Sequence, residues 1–159
     1  MYQKTNSEIE KKIHNILEGE YEISVLGTNG KDKFPFLSKI IPMYINKKIY
    51  VLISDLSEHT KNIQYNHSVS IYFALKELNK TKSNNPRLTI SGIIKKHAFN
   101  KNDPEFLNLL ESYQKIEKGS KMWGMFSDFN FYSLEPHRAL YIEGFGKAYQ
   151  KDYTKWLTY

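Results

Sequence analysis

The 159-residue chain contains no cysteine, which excludes disulfides, thiolate metal sites, iron–sulfur clusters and a cysteine nucleophile. Arginine is nearly as scarce: of 23 basic residues only Arg87 and Arg138 are arginines. The net charge of +6 is therefore carried by scattered lysines such as Lys47, Lys48, Lys95 and Lys96. Arginine is the residue that forks onto phosphates and reads bases, so the charge favours a small anionic ligand, a phosphate ester or a carboxylate, over nucleic acid. No segment approaches the ~20 consecutive apolar residues of a membrane span, and the charged N-terminus does not read as a signal peptide, so a soluble cytoplasmic protein is expected. There are no paired carboxylates, no G-x-S-x-G elbow and no Walker loop, so no catalytic residue is assigned.

What is present is enough for one domain spanning residues 1–159: 40% hydrophobic and 14% aromatic residues, with no repeat and no break in composition. Ile9, Ile13, Ile16 and Leu17 fall on one face of an N-terminal helix over 1–19, capped by Asn6 or Ser7 and ended by Gly19. Strand-like runs follow at Tyr21 to Gly27, Phe36 to Ile45, Ile49 to Ile53, Val69 to Leu75, Arg87 to His97, Phe129 to Leu134 and Ala139 to Tyr149. Asn46, Lys47 and Lys48 join two of them as a hairpin. His59 to Asn66 and Asp103 to Ile116 read as helices, and the polar stretch from Lys76 to Pro86 reads as a solvated, disordered loop. Short antiparallel strands with few helices predict a closed or partly closed barrel, because closure removes unpaired edges. Gly92, inside a strand, suits a barrel corner or a close backbone approach.

The run VLISDLSEHTKNI, Val51 to Ile63, leaves a strand and enters a helix whose start offers hydroxyls, a lysine and unpaired N–H groups. Such a start either caps itself or receives an anion such as a phosphate. The segment GSKMWGMFSDF, Gly119 to Phe129, gathers methionine and aromatic side chains fit for a core, a dimer interface or one wall of a flat ligand. Trp123 is the residue most suited to reach across such a dimer. Tyr149, Tyr153, Trp156 and Tyr159, in and beside a C-terminal tail over 150–159, are expected to cover the barrel.

Four pieces, PFLSKIIPMYI from Pro35, SDLSEHTKNI from Ser54, RLTISGII from Arg87 and FYSLEPHRALYIEGFGKA from Phe131, resemble in order and spacing the FMN-binding split barrels related to pyridoxamine phosphate oxidase. The likeness is greatest to their bacterial haem-utilisation branch, which includes haem-degrading oxygenases. The resemblance implies a mainly β fold, a six-stranded antiparallel split β-barrel with peripheral helices. It also implies a homodimer with FMN, or alternatively haem, in clefts between subunits. It places Ser38, Lys39, Ile40 and Ile41 along the flavin ring and Ser54, Ser57, Thr60, Lys61 and Asn62 at its phosphate. His59 stands where many relatives carry lysine. An FMN-dependent oxidoreductase is expected, acting on a small-molecule substrate or electron donor, with a haem-binding or haem-degrading protein and a non-catalytic flavin-binding dimer as alternatives.

The oxidase's arginine and histidine near the C-terminus have no counterpart after Arg138, which argues against that particular activity. The histidine that larger haem-degrading relatives carry beyond the GFG-like segment is also lacking. Of the five histidines, His14, His67, His97 and His137 read as surface, strand-end or turn residues, and only His59 falls in the expected site. No pair has the spacing of a metal site, and no dedicated metal ion is expected.

Overall fold

The structure, a computed structural model, describes residues 2–153. Its strands are β1 (Gln3–Lys4), β2 (Ile23–Asn29), β3 (Pro35–Lys39), β4 (Pro42–Ile45), β5 (Lys48–Ser54), β6 (Ser68–Ala74), β7 (Arg87–Lys96), β8 (Phe129–Gly144) and β9 (Lys147–Asp152). Its helices are α1 (Ser7–Leu17), α2 (Glu58–Tyr65), α3 (Pro104–Gln114) and α4 (Ser120–Trp123). The strand order is β1-β9-β8-β7-β6-β2-β3, with β5 and β4 branching from the first half of β8. All pairs are antiparallel except β1 with β9. The mainly β split barrel is as expected, but it has nine described strands rather than six.

The extra strands have local causes. The run Phe36 to Ile45 is one apolar stretch, yet Ile40 and Ile41 bend it into β3, paired with β2, and β4, paired with β5. Ser24 pins this bend: its Oγ donates to the Ile40 carbonyl at 2.7 Å and its own carbonyl accepts from Ile40 N–H at 3.2 Å. Among the described residues the sheet is thus not closed by a ladder, and consecutive strands of the chain border the split. Conversely, the two runs expected after Phe129 form one 16-residue strand β8. Its pairing with β7 shifts register between Ser91 and Gly92, passing over His137. A side chain at Gly92 would meet the Glu135 carbonyl oxygen at 2.1 Å, so the bulge requires glycine there. The end of the last run turns back through Gly146, at φ +76°, into β9.

Alternation then builds two cores. Val51, Ile53, Ile71, Leu88, Ile90, Tyr132, Leu134 and Tyr141 point into the barrel, where Ile9, Ile13, Ile16 and Leu17 of α1 and Ile63 of α2 join them. Asn6 caps α1 by accepting from Ile9 N–H at 2.9 Å, so the amphipathic face read from the sequence is the face that is buried. On the outer side, Met43, Leu52 and Phe131 are covered by Phe106, Leu110 and Tyr113 of α3, with Trp123 of α4 packed alongside. Tyr113 fixes α3 further by donating to the Ile41 carbonyl at 2.7 Å.

The 76–86 stretch is ordered around Asn85, which is buried. Asn85 accepts from Asn79 N–H and donates to the Asn79 and Lys82 carbonyls, closing a short 3-10 turn at Lys82–Asn84. Tyr149 stacks on Tyr141 and covers the barrel core, whereas Trp156 and Tyr159 lie outside the described residues.

Candidate functional site

The site predicted from the sequence spans β3, the bend after it and the β5–α2 turn, and the fold brings the two ends of this set together. Ser38 Oγ and His59 Nδ1 lie 3.0 Å apart, linking β3 to the first turn of α2. The other ring nitrogen, His59 Nε2, is buried without a hydrogen-bond partner, the one such side-chain atom among the described residues. Burial lowers the His59 pKa below the ordinary histidine value, so the ring is neutral near pH 7. Lys61 on α2 is exposed and lies 3.7 Å from Glu58, whereas Lys39, opposite Val25 in the β2–β3 ladder, projects from the other face of β3 from Ser38.

Other predicted residues face inward. Thr60 is fully buried and its hydroxyl donates to the Ser54 carbonyl at 2.7 Å, while the Asn62 amide donates to Thr28 Oγ1 at 3.2 Å. A side chain on Gly30 would strike Asn62 Oδ1 at 2.3 Å, so the end of β2 and α2 interlock around that glycine. Ser54 Oγ donates to the Asp128 carboxylate and accepts from Leu56 N–H. Ser57 occupies the N-cap position of α2 without a side-chain capping bond. Ile40 is buried in the barrel core, Ile41 packs against the outer core, and half-buried Trp123 leans on Phe129 and Tyr113 there.

A polar network centred on Asp55, outside the site residues expected from the sequence, holds the turn. The Asp55 carboxylate accepts from Lys96 at 2.7 Å, Asn130 at 2.8 Å and the Tyr132 hydroxyl at 3.0 Å, and Asp55 N–H donates to the Asp128 carbonyl at 2.7 Å. Burial, and after it the bond to Asp55, raises the Tyr132 pKa and keeps this hydroxyl a donor. Lys101 donates to the Gly124 and Phe129 carbonyls, and burial lowers its pKa. The sequence signal was the pairing of polar residues in SDLS with those in SDFN, two segments that are neighbours only because β5 pairs with β8.

The remaining histidines are placed elsewhere. His14 sits 3.6 Å from Glu18 on the exposed side of α1, and His67 is exposed before β6. His97 stacks on Phe99 and bonds Ser133 through Nε2 at 2.9 Å. His137 lies at the β8 bulge. Among the described residues no three His, Asp or Glu side chains form a metal-binding group, and no helix is long and apolar enough to cross a membrane. Beside the site, on the exposed side of α2, a depression of about 570 Å³ is lined by Lys31, Asp32, Glu58, Lys61, Asn62, Gln64 and Tyr65.

The whole fold recurs in solved structures. ChuZ from Campylobacter jejuni superposes with a TM-score of 0.81 at 22% identity, over 95% of this chain and 62% of that one. A haem-binding protein from Mycobacterium smegmatis gives 0.74 at 17%, over 86% of this chain and 55% of that one. HutZ, the haem storage protein from Vibrio cholerae, gives 0.67 at 19%, over 80% and 89%. The chain thus spans less than two thirds of the first two of these proteins. No curated protein sequence matches it. The family model for the CREG β-barrel matches residues 37–158, starting within β3, and includes the four segments that carried the split-barrel resemblance except for two residues. The chain belongs to the CREG β-barrel family.

Proposed function

We propose that this protein is a haem-binding split barrel of the haem-utilisation type, working as a homodimer whose subunit cleft includes the corner between β3 and α2. The observation that carries this reading is the composition of that corner. The hydroxyl and amide donors that a phosphate would need, Thr60 and Asn62, are spent inside the fold, while a neutral imidazole and the exposed cation Lys61 on the same helix are what remain. These residues fit haem: a lysine suits a propionate and a neutral imidazole suits the iron. The haem-binding protein and the haem storage protein that share this fold support the reading by analogy. Bound haem supplies an iron centre whose reactivity the axial ligand and the surrounding dielectric set.

The homodimer rests on the outer face of the sheet. Val25, Ser70, Tyr72, Thr89, Ser91 and Leu140 lie there in adjacent rows and belong to neither core. From Ile23 to Gly27, across β6, and from Thr89 to Ile93, the outward positions carry no charge in a chain that is 25% charged. A solvated antiparallel face would alternate apolar with polar residues, so this uncharged face fits a second copy of the chain. The sequence's two arginines, Arg87 and Arg138, sit on the same face at its rim.

FMN is the second reading, favoured by the start of α2. Ser57 is free of a side-chain cap bond and Lys61 is exposed beside it, a remaining donor set for a phosphate. The test is titration of the purified protein with haemin and, separately, with FMN, followed by visible absorption. Saturable haemin uptake of one per chain with weak FMN binding is expected; tight FMN binding without haemin uptake would replace haem with the flavin reading.

A further inference from the structure

We propose that His59 Nε2 is the axial ligand to the iron of bound haem and that Ser38 is the residue that positions its ring; the proposal rests on the haem reading above. An imidazole binds iron as a neutral ring through one unprotonated nitrogen, and the other nitrogen usually donates to an oxygen that fixes tautomer and orientation. His59 has this arrangement before any ligand arrives. Its Nδ1 is 3.0 Å from Ser38 Oγ and its Nε2 has no partner. Leaving a bare lone pair buried is tolerated more readily than leaving an N–H buried, so the proton belongs on Nδ1, donated to Ser38.

The charged groups on the elements around the ring are Lys39 on β3, Glu58 and Lys61 on α2, and Lys31, Asp32 and Lys33 in the β2–β3 turn. None of them pairs with it, and Glu58 is engaged by Lys61. No carboxylate therefore holds the ring protonated, and burial favours the neutral form. His59 as a whole is half-buried, and a ligand reaching Nε2 displaces the atoms that cover it. The Nε2 lone pair forms the bond to iron, no electron is transferred, and no proton leaves because Nε2 carries none.

The other histidines lack this combination. His97 commits Nε2 to Ser133, while His14 on α1 and His67 before β6 are exposed.

The experiment is a haemin titration of the full chain, comparing wild type with His59→Ala and Ser38→Ala, each checked for folding by circular dichroism. Wild type is expected to give a histidine-ligated Soret band. In His59→Ala this spectrum is lost, added imidazole restores it, and haemin affinity falls at least about tenfold. Ser38→Ala, which keeps the ligand and loses its orienting partner, is expected to shift the iron–imidazole stretching band of the ferrous complex. It also keeps the question open to test should His59→Ala fail to fold. Wild-type spectra in His59→Ala, or an unmoved band in Ser38→Ala, would overturn the assignment while leaving haem binding intact. Failure of wild type to take up haemin would overturn both.

Discussion

Around β4, β5 and the first half of β8 the outer face of the sheet is sealed by α3 and α4, whereas around β2, β6 and β7 the same face carries small and apolar side chains that belong to neither core. The first region is a finished piece of protein interior: Phe131 is buried against Phe106 and Tyr113, with ring centroids 5.4 and 5.9 Å apart. The second has the pleat, the register and the lack of charge of a core layer, and Tyr72 at its centre is 39% exposed. The difference teaches that the helices of one chain cover only the β4, β5 and β8 side of the outer sheet surface. In the reading proposed above a second copy covers the rest, with the β3–α2 corner beside that uncovered region.

Substitutions on the two sides are expected to differ most in what they disturb. Phe106→Ala in the sealed region should cost ~3–5 kcal/mol of unfolding free energy, measured by urea denaturation, because a buried ring leaves a cavity that the barrel wall cannot fill. A loss under ~1 kcal/mol would mean that α3 packs loosely. Thr89→Glu, in the middle of the uncovered face, should leave the far-ultraviolet spectrum intact and reduce the mass in light scattering to one chain, since a buried unpaired carboxylate opposes association. An unchanged dimer would remove this face from the interface.

Between the two regions, Asp55→Ala should destabilise the protein by ~1–3 kcal/mol. It strips the partner from Lys96, Asn130 and Tyr132 at once. Asp55→Asn, which keeps an acceptor, should recover part of that loss.

The smallest effect is one of pH. Burial lowers the His97 and His59 pKa values below the usual histidine value, and Lys48 adds to this at His97. The unfolded chain therefore takes up protons first as pH falls through ~6.5. The stability contributed by the neutral rings is complete above that pH and is lost progressively towards the lower folded pKa values. His97→Gln should flatten the fall in stability below pH 6.5 relative to wild type; parallel curves would show that His97 does not titrate differently in the folded state.

Much of the barrel was legible because its signals are local. The α1 stripe, the Asn46 hairpin and the alternating runs each specify their own element, and Gly92 marked the bulge through a backbone approach that forbids a side chain. The split of Phe36 to Ile45 was not legible, because its cause is Ser24, 16 residues from Ile40 in sequence and opposite it only after β2 and β3 pair. The site divides the same way. The segments Ser38 to Ile41 and Ser54 to Asn62 were found from sequence, but the inward turn of Thr60 and Asn62 depends on Ser54 and Thr28. The Asp55 network depends on the pairing of β5 with β8, which no local pattern announces. The 76–86 loop shows the limit of composition: polar throughout, it is ordered by one buried asparagine.

Two copies packed on the uncharged face are proposed to complete a haem site at the β3–α2 corner, and light scattering during a haemin titration tests this most directly. The account predicts a particle of about twice 18.8 kDa that takes up one haemin per chain. A single chain of 18.8 kDa that binds haemin equally well, or a dimer that binds none, would contradict it.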